Sequence, residues 1–180
     1  MKKYLILLLI SFAFLSCEGP YIFNRVVKKA DGDKMLLGGV DREVFAKEPF
    51  STWFFTEYDS YQPNEAMVKD FKSKIKKYRI EVFLGSWDDA SKKEYPRLLK
   101  ILDAAKFPTK RITTYAVNEN LKSFYGEEGG KDIQHLPTII FYRGGDEIGR
   151  IVESPVSGSL EEDILMIVNG VPLTPNYFED

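Results

Sequence analysis

A chain of 180 residues with 44% hydrophobic, 29% charged and 14% aromatic residues has the size and make-up of one globular domain, which excludes disordered and fibrous classes. A formal net charge of −2, with basic residues interleaved among apolar helix positions as in Lys72-Ser73-Lys74-Ile75-Lys76-Lys77, gives no nucleic-acid footprint, and no nucleic-acid partner is expected. The single cysteine, Cys17, leaves no thiol pair anywhere in the chain.

The chain begins with a basic Met1-Lys2-Lys3, an apolar run from Tyr4 to Leu15, and then Ser16-Cys17. The run is shorter than the roughly 18 residues of a membrane-spanning helix and has the flanks of an export signal. Phe14-Leu15-Ser16-Cys17 resembles a bacterial lipoprotein signal, in which a small residue precedes a cysteine that is lipidated and becomes the new N-terminus. An ordinary secretory signal that contains a cysteine is the alternative. The resemblance implies a signal peptide over residues 1–16, lipidation of Cys17, and anchoring on the extracytoplasmic side of a bacterial membrane, in the cell envelope or periplasm. Cleavage before Cys17 would remove two lysines and no acid, taking the net charge from −2 to −4.

Residues 17–49 read as a tether and N-terminal extension, with a hairpin expected from Lys34–Leu37 through Gly38-Gly39 to Val40–Phe45. The aromatic-rich stretch Phe50–Tyr58 is expected to pack on the main domain, which spans residues 50–170. A helix follows from Pro63, with Met67, Phe71 and Ile75 at four-residue spacing. Tyr78–Leu84 reads as a strand, and a second helix starts near Asp88 with Tyr95, Leu98, Leu99 and Leu102 on one stripe and Pro96 inside it. Arg111–Val117 is a strand candidate and Leu121–Tyr125 a short-helix candidate. Leu136–Tyr142 and Glu147–Val152 flank a Gly144-Gly145 hairpin turn. Ser159-Leu160-Glu161-Glu162 has the form of a capping box that opens a closing helix lined by Leu160, Ile164 and Ile167. Residues 171–180 form a tail. The order of elements predicts an α/β fold, a central mixed sheet flanked by helices, with parallel crossovers and one antiparallel hairpin.

Val82-Phe83-Leu84-Gly85-Ser86-Trp87-Asp88-Asp89-Ala90-Ser91 followed by Pro96, and later Leu136-Pro137-Thr138 entering a strand, resemble the thioredoxin family over about residues 62–170. In that family a strand delivers a Trp and a C-x-x-C pair to a helix N-terminus, the helix carries a Pro, and a cis-Pro precedes a central strand. Trp87, Pro96 and Pro137 fall on those three positions. The segment is also similar to the extracytoplasmic lipoprotein branch with a W-C-x-x-S motif, whose later positions Ser91 and Lys92 keep. Both thiol positions are substituted, by Asp88 and Ser91. Val82 stands where many members carry a buried Asp, and Glu153 where a small Gly usually lies at the rim of the substrate groove.

A carboxylate cannot form a mixed disulfide, so a thioredoxin-like domain without C-x-x-C is expected to be redox-inactive. The former active site is then Trp87, Asp88, Asp89, Ala90 and Ser91, with Asp88 reading as a helix cap. The resemblance implies a peptide groove of Trp87, Leu136, Pro137 and Glu153, where the backbone before the cis-Pro pairs with an extended segment; retention of these residues for structure alone is the competing reading. The expected function is a binding or scaffold module that holds an extracytoplasmic protein or peptide partner. The alternative is an enzyme, either an oxidoreductase working with a partner's cysteines or a weak acid–base hydrolase using Asp88, Asp89 and Glu153. His135 is the lone histidine, so no metal site is expected. Gly129-Gly130 and Gly144-Gly145 lack phosphate-loop spacing, and no cofactor is expected.

Overall fold

The computed structural model describes residues 21–174. Cys17, the signal over residues 1–16 and the end of the expected tail lie outside them. Six strands form one mixed sheet: β1 (Arg25–Lys28), β2 (Lys34–Val40), β3 (Arg79–Leu84), β4 (Ile112–Ala116), β5 (Thr138–Arg143) and β6 (Asp146–Val152), in the order β1-β2-β4-β3-β5-β6. Only β3 and β4 are parallel; the other neighbours run antiparallel. Among the described residues four helices accompany the sheet: α1 (Ser51–Ser60), α2 (Glu65–Ile75), α3 (Asp89–Ala104) and α4 (Leu160–Val168). Among the described residues no helix is long and apolar enough to cross a membrane.

The sheet is clothed unequally. Ile80, Val82 and Leu84 of β3, with Ile139 and Phe141 of β5, share one core with the buried faces of all four helices. Alternation along the strands sends Phe83, Ile140 and Tyr142 to the opposite face, where they meet Val117 and Leu136 and are covered by the irregular segment that includes Leu121 and Ile133. The expected helical flanking is therefore one-sided. It also explains why β3 reads as nearly continuous apolar sequence, since both of its faces are buried.

Local chemistry accounts for the helices. The Asn64 side chain accepts the Met67 N–H at 3.1 Å to open α2, whose Val68, Phe71 and Ile75 point inward. Each fully buried side chain of this size contributes about 1.5–3 kcal/mol relative to exposure. Ser159 Oγ accepts the Glu162 N–H at 3.2 Å, as the capping pattern requires, but no return bond from Glu162 to the Ser159 N–H forms among the described residues. Its neighbour Glu161 is buried instead, accepting from Tyr61 Oη at 2.8 Å and the Asn64 N–H at 3.0 Å, which ties the start of α4 to the start of α2.

Four expectations are corrected. The first hairpin is β1–β2, and it turns at Lys29–Asp33, not at Gly38-Gly39: the Lys29 N–H bonds Asp33 O at 2.7 Å, the Asp33 N–H bonds Asp31 Oδ1 at 2.9 Å, and Gly32 has φ +96°. Lys34–Val40 is one continuous strand, and Arg42–Ala46 is a 3₁₀ turn. The described part of the segment 17–49, read as a tether and N-terminal extension, supplies two of the six strands, and Leu36 and Val40 lie in the core. Leu121–Tyr125 is an irregular turn segment, with Leu121 at φ +58°, a value no helix continues. The strand expected from Leu136 begins at Thr138, after Pro137, which has no N–H to give a ladder.

Two buried polar devices escaped the sequence reading. Tyr95 on α3 shares a 3.1 Å hydrogen bond with Thr114 on β4, and burial pushes its phenol up to about 12. Glu81 on β3 is nearly inaccessible and lies 2.9 Å from Lys131 Nζ, an ion pair without the alignment of a hydrogen bond, while Arg79 Nη1 donates to its other oxygen. Burial pushes the Glu81 carboxyl up, but Lys131 and Arg79 outweigh it and hold the group below its ordinary value. Its stabilisation is therefore complete above the unfolded carboxyl pKa of about 4.3 and is lost as pH falls through the lower folded value. Lys131→Met is expected to cost about 1–3 kcal/mol at neutral pH and to move the acid-unfolding midpoint upward. Urea denaturation at neutral pH and an acid titration followed by circular dichroism check both.

Candidate functional site

The end of β3 delivers Gly85, Ser86 and Trp87 to the N-terminus of α3. Asp88 is the N-cap, its Oδ2 accepting the Ser91 N–H at 2.7 Å, as the cap reading expects. Such a cap contributes about 1 kcal/mol relative to alanine. Ser91 is buried, and its Oγ accepts the Gly85 N–H at 3.1 Å, so the hydroxyl closes the turn that precedes its own helix. Asp89 is exposed and pairs with Lys92 at 3.0 Å; Ala90 is half-buried. Val82 is fully buried, surrounded by the helical core. The five residues at this helix start are thus present together, with the two polar groups at positions 88 and 91 both engaged in holding backbone.

Trp87 is half-buried, and its indole Nε1 donates to Val117 O at 3.0 Å. Position 85 has to be glycine for this placement, because a Cβ there would lie 2.9 Å from Trp87 Cε2. On one side the indole packs against the cluster that holds Leu136. The Leu136–Pro137 bond is cis, as expected, and so is Glu48–Pro49, which was not foreseen. The Glu153 N–H donates to Pro137 O at 2.8 Å, which brings the exposed Glu153, at φ +63°, beside the proline. Leu136 precedes the first ladder pair, Phe83↔Thr138, and among the described residues its backbone has no partner outside the sheet ladders.

Leu136 and Pro137 are themselves buried, so they offer little apolar floor. The open space lies on the other side of Trp87. A cleft of about 480 Å³ is lined there by Trp87, Ser86, Lys92, Trp53, Phe50 and Pro49, and by Lys29, Gly32, Asp33, Lys34 and Glu48. The β1–β2 turn, the cis-proline segment and α1 thus build a wall opposite the start of α3. The sequence signal for it was the aromatic stretch Phe50–Tyr58, but which of those rings would face Trp87 depended on helix α1 lying against α3. Lys29 is held by Asp31 at 2.8 Å and by Glu119 at 3.3 Å. His135 lies just before Leu136, its carbonyl accepting from Thr138 Oγ1 at 2.7 Å. Among the described residues no group of three or more His, Cys, Asp or Glu side chains is placed to hold a metal ion.

No family model matches the chain, and no curated protein matches it. Among solved structures, a crystal structure of a protein of unknown function, PA1234 from Pseudomonas aeruginosa, is similar with a TM-score of 0.53 at 15% identity, over 73% of this chain and 93% of that one. At that identity the likeness concerns the α/β fold alone.

Proposed function

We propose that this chain is a thioredoxin-like binding module that no longer performs redox chemistry, anchored through Cys17 on the extracytoplasmic side of a bacterial membrane, and that it holds an extended protein segment at Trp87. The thioredoxin-like reading is supported by the crossover β3–α3–β4, the antiparallel β5–β6 hairpin followed by α4, and the positions of Trp87, Pro96 and Pro137 on those elements. The loss of redox chemistry rests on Asp88 and Ser91, neither of which can attack a disulfide, and both of which are engaged in closing the helix start.

One observation carries the binding reading: Trp87 is the wall shared by the 480 Å³ cleft and the cluster around Leu136. A segment laid in the cleft would place an apolar side chain against Trp87 and Trp53, beside Phe50 and Pro49. The aromatic rings supply both apolar contact area and selectivity for the side chain between them.

A tryptophan that walls such a site and is covered by the bound segment is a hot spot, so Trp87→Ala is expected to weaken peptide binding by about tenfold or more on a peptide array and in pull-downs from envelope extracts. Equal binding by wild type and variant would overturn the placement of the site. Turnover of a disulfide, ester or peptide substrate by the purified protein would overturn the binding-module reading in favour of an enzyme.

A further inference from the structure

We propose that the aromatic patch formed by Tyr21, Phe23, Phe124 and Tyr125 lies on the membrane surface and fixes the orientation of the domain; this rests on the lipid attachment proposed above. The four rings are each between 41% and 54% exposed. They form one contact chain: Phe23 to Tyr21 at 4.8 Å, Tyr21 to Tyr125 at 4.8 Å, and Tyr125 to Phe124 at 4.7 Å between centroids. Exposed rings gathered this way are unusual on a small domain and mark an interaction surface.

The patch is built, not draped. Tyr21 Oη donates to Glu127, the Tyr125 N–H donates to the same carboxylate at 3.0 Å, and the Ile22 N–H donates to Tyr125 Oη at 3.3 Å. Phe124 and Tyr21 approach Gly38 and Gly39 of β2 so closely that a Cβ would lie 3.0 Å and 2.7 Å from them. The Arg25 guanidinium sits 3.5 Å from the Phe124 ring centroid, adding a cation beside the rings. The start of the described chain is thereby pinned to a loop about a hundred residues away in sequence.

The bilayer is the occupant because of where the attachment residue falls. Only four residue steps separate Cys17 from Tyr21, a reach of at most about 14 Å. A domain of this size has a radius of gyration of about 15 Å, so a lipid-bound Cys17 cannot let the Tyr21 corner turn away from the membrane. That corner carries tyrosine and phenylalanine rings with a neighbouring arginine, the chemistry that favours the headgroup boundary. It belongs to the sheet face opposite the helices, since the segment bearing Phe124 and Tyr125 is the one that covers Phe83 and Tyr142.

The test uses the full lipidated protein reconstituted in vesicles of phosphatidylethanolamine and phosphatidylglycerol. Tyr125→Cys on the patch and Ser73→Cys, exposed on α2, each carry an environment-sensitive fluorophore, and nitroxide-bearing headgroups act as quencher. Lys122→Cys serves as a second probe of the loop should Tyr125→Cys fail to fold. The expected result is quenching at the loop at least about twofold stronger than at Ser73, as interfacial burial of one face requires. Equal quenching at both sites, in protein that floats with the vesicles, would overturn the docked orientation while leaving lipid anchoring intact. Shielding of the loop probe in detergent at the mass of a dimer would overturn the bilayer as occupant in favour of a second copy. Protein that fails to float would remove lipid attachment and this inference with it, leaving the Trp87 binding result to stand or fall separately.

Discussion

Phe45→Ala is expected to cost about 3–5 kcal/mol, the largest loss of any single substitution considered for this protein. Phe45 is fully buried in the 3₁₀ turn that links β2 to α1. Its ring stacks on Phe54 at 5.3 Å, meets the edge of Trp53 at 5.6 Å, and leans on Tyr95 of α3 at 5.1 Å. Truncation would remove these ring contacts together and leave a cavity between α1 and α3, which the surrounding aromatic side chains are too rigid to fill. For a chain of this length each kcal/mol lowers Tm by about 2–4 °C, so a fall of roughly 10 °C is expected in calorimetry. Phe55→Ala is the control: that ring is 42% exposed, and its loss is expected to stay within about 0.5 kcal/mol. A Phe45 variant as stable as the control would mean that the turn and α1 are not packed on α3. Because the same turn and helix support Trp53 and Phe50, the variant is also expected to weaken any peptide bound in the Trp87 cleft.

Asp163→Ala is expected to cost about 2–4 kcal/mol. The carboxylate is completely buried in the first turn of α4, where it accepts the Val156 N–H at 2.9 Å, the Ser157 N–H at 3.0 Å and the Ser157 hydroxyl. It thereby satisfies two backbone donors of the loop between β6 and α4, and alanine would strand both. Asp163→Asn keeps one accepting oxygen and should lose roughly half as much. Denaturant midpoints measure the cost, and hydrogen exchange at Val156 and Ser157 should speed up in the alanine variant while β3 remains protected. Unchanged exchange at those two amides would remove the carboxylate as the clamp of this loop.

Elements whose signal is local were legible. Asp88 and Ser159 cap their helices as expected, because a short polar side chain needs only the next turn to accept from, whereas α2 is capped by Asn64, one residue past the start that Pro63 suggested. The spacing of Phe71 and Ile75, and of Leu160, Ile164 and Ile167, marks buried helix faces for the same reason. Residues with a double meaning were not legible. Gly38-Gly39 has the composition of a turn but sits inside a strand, since its lack of side chains is used by Phe124 and Tyr21 from elsewhere in the chain. Glu161 and Asp163 have the sequence character of solvated acids at a helix start, yet each is buried, Glu161 because donors from Tyr61 and Asn64 about a hundred residues away converge on it and Asp163 because the loop just before α4 folds back over it.

For the candidate site the division is similar. By itself the sequence determined that the folded domain has no thiol, that Asp88 begins α3 and that Trp87 stands at its mouth, because those statements depend on residue identity and on hydrogen bonds within a few positions. Only the tertiary structure decided that Ser91 faces inward to hold Gly85, that Leu136 and Pro137 are covered, and that the space beside Trp87 is walled by Pro49, Phe50 and Trp53. It likewise decided that Tyr21 and Phe23 meet Phe124 and Tyr125 across about a hundred residues. Such contacts are selected by the burial of all the apolar surface at once, a condition on the whole chain that no single stretch of it expresses.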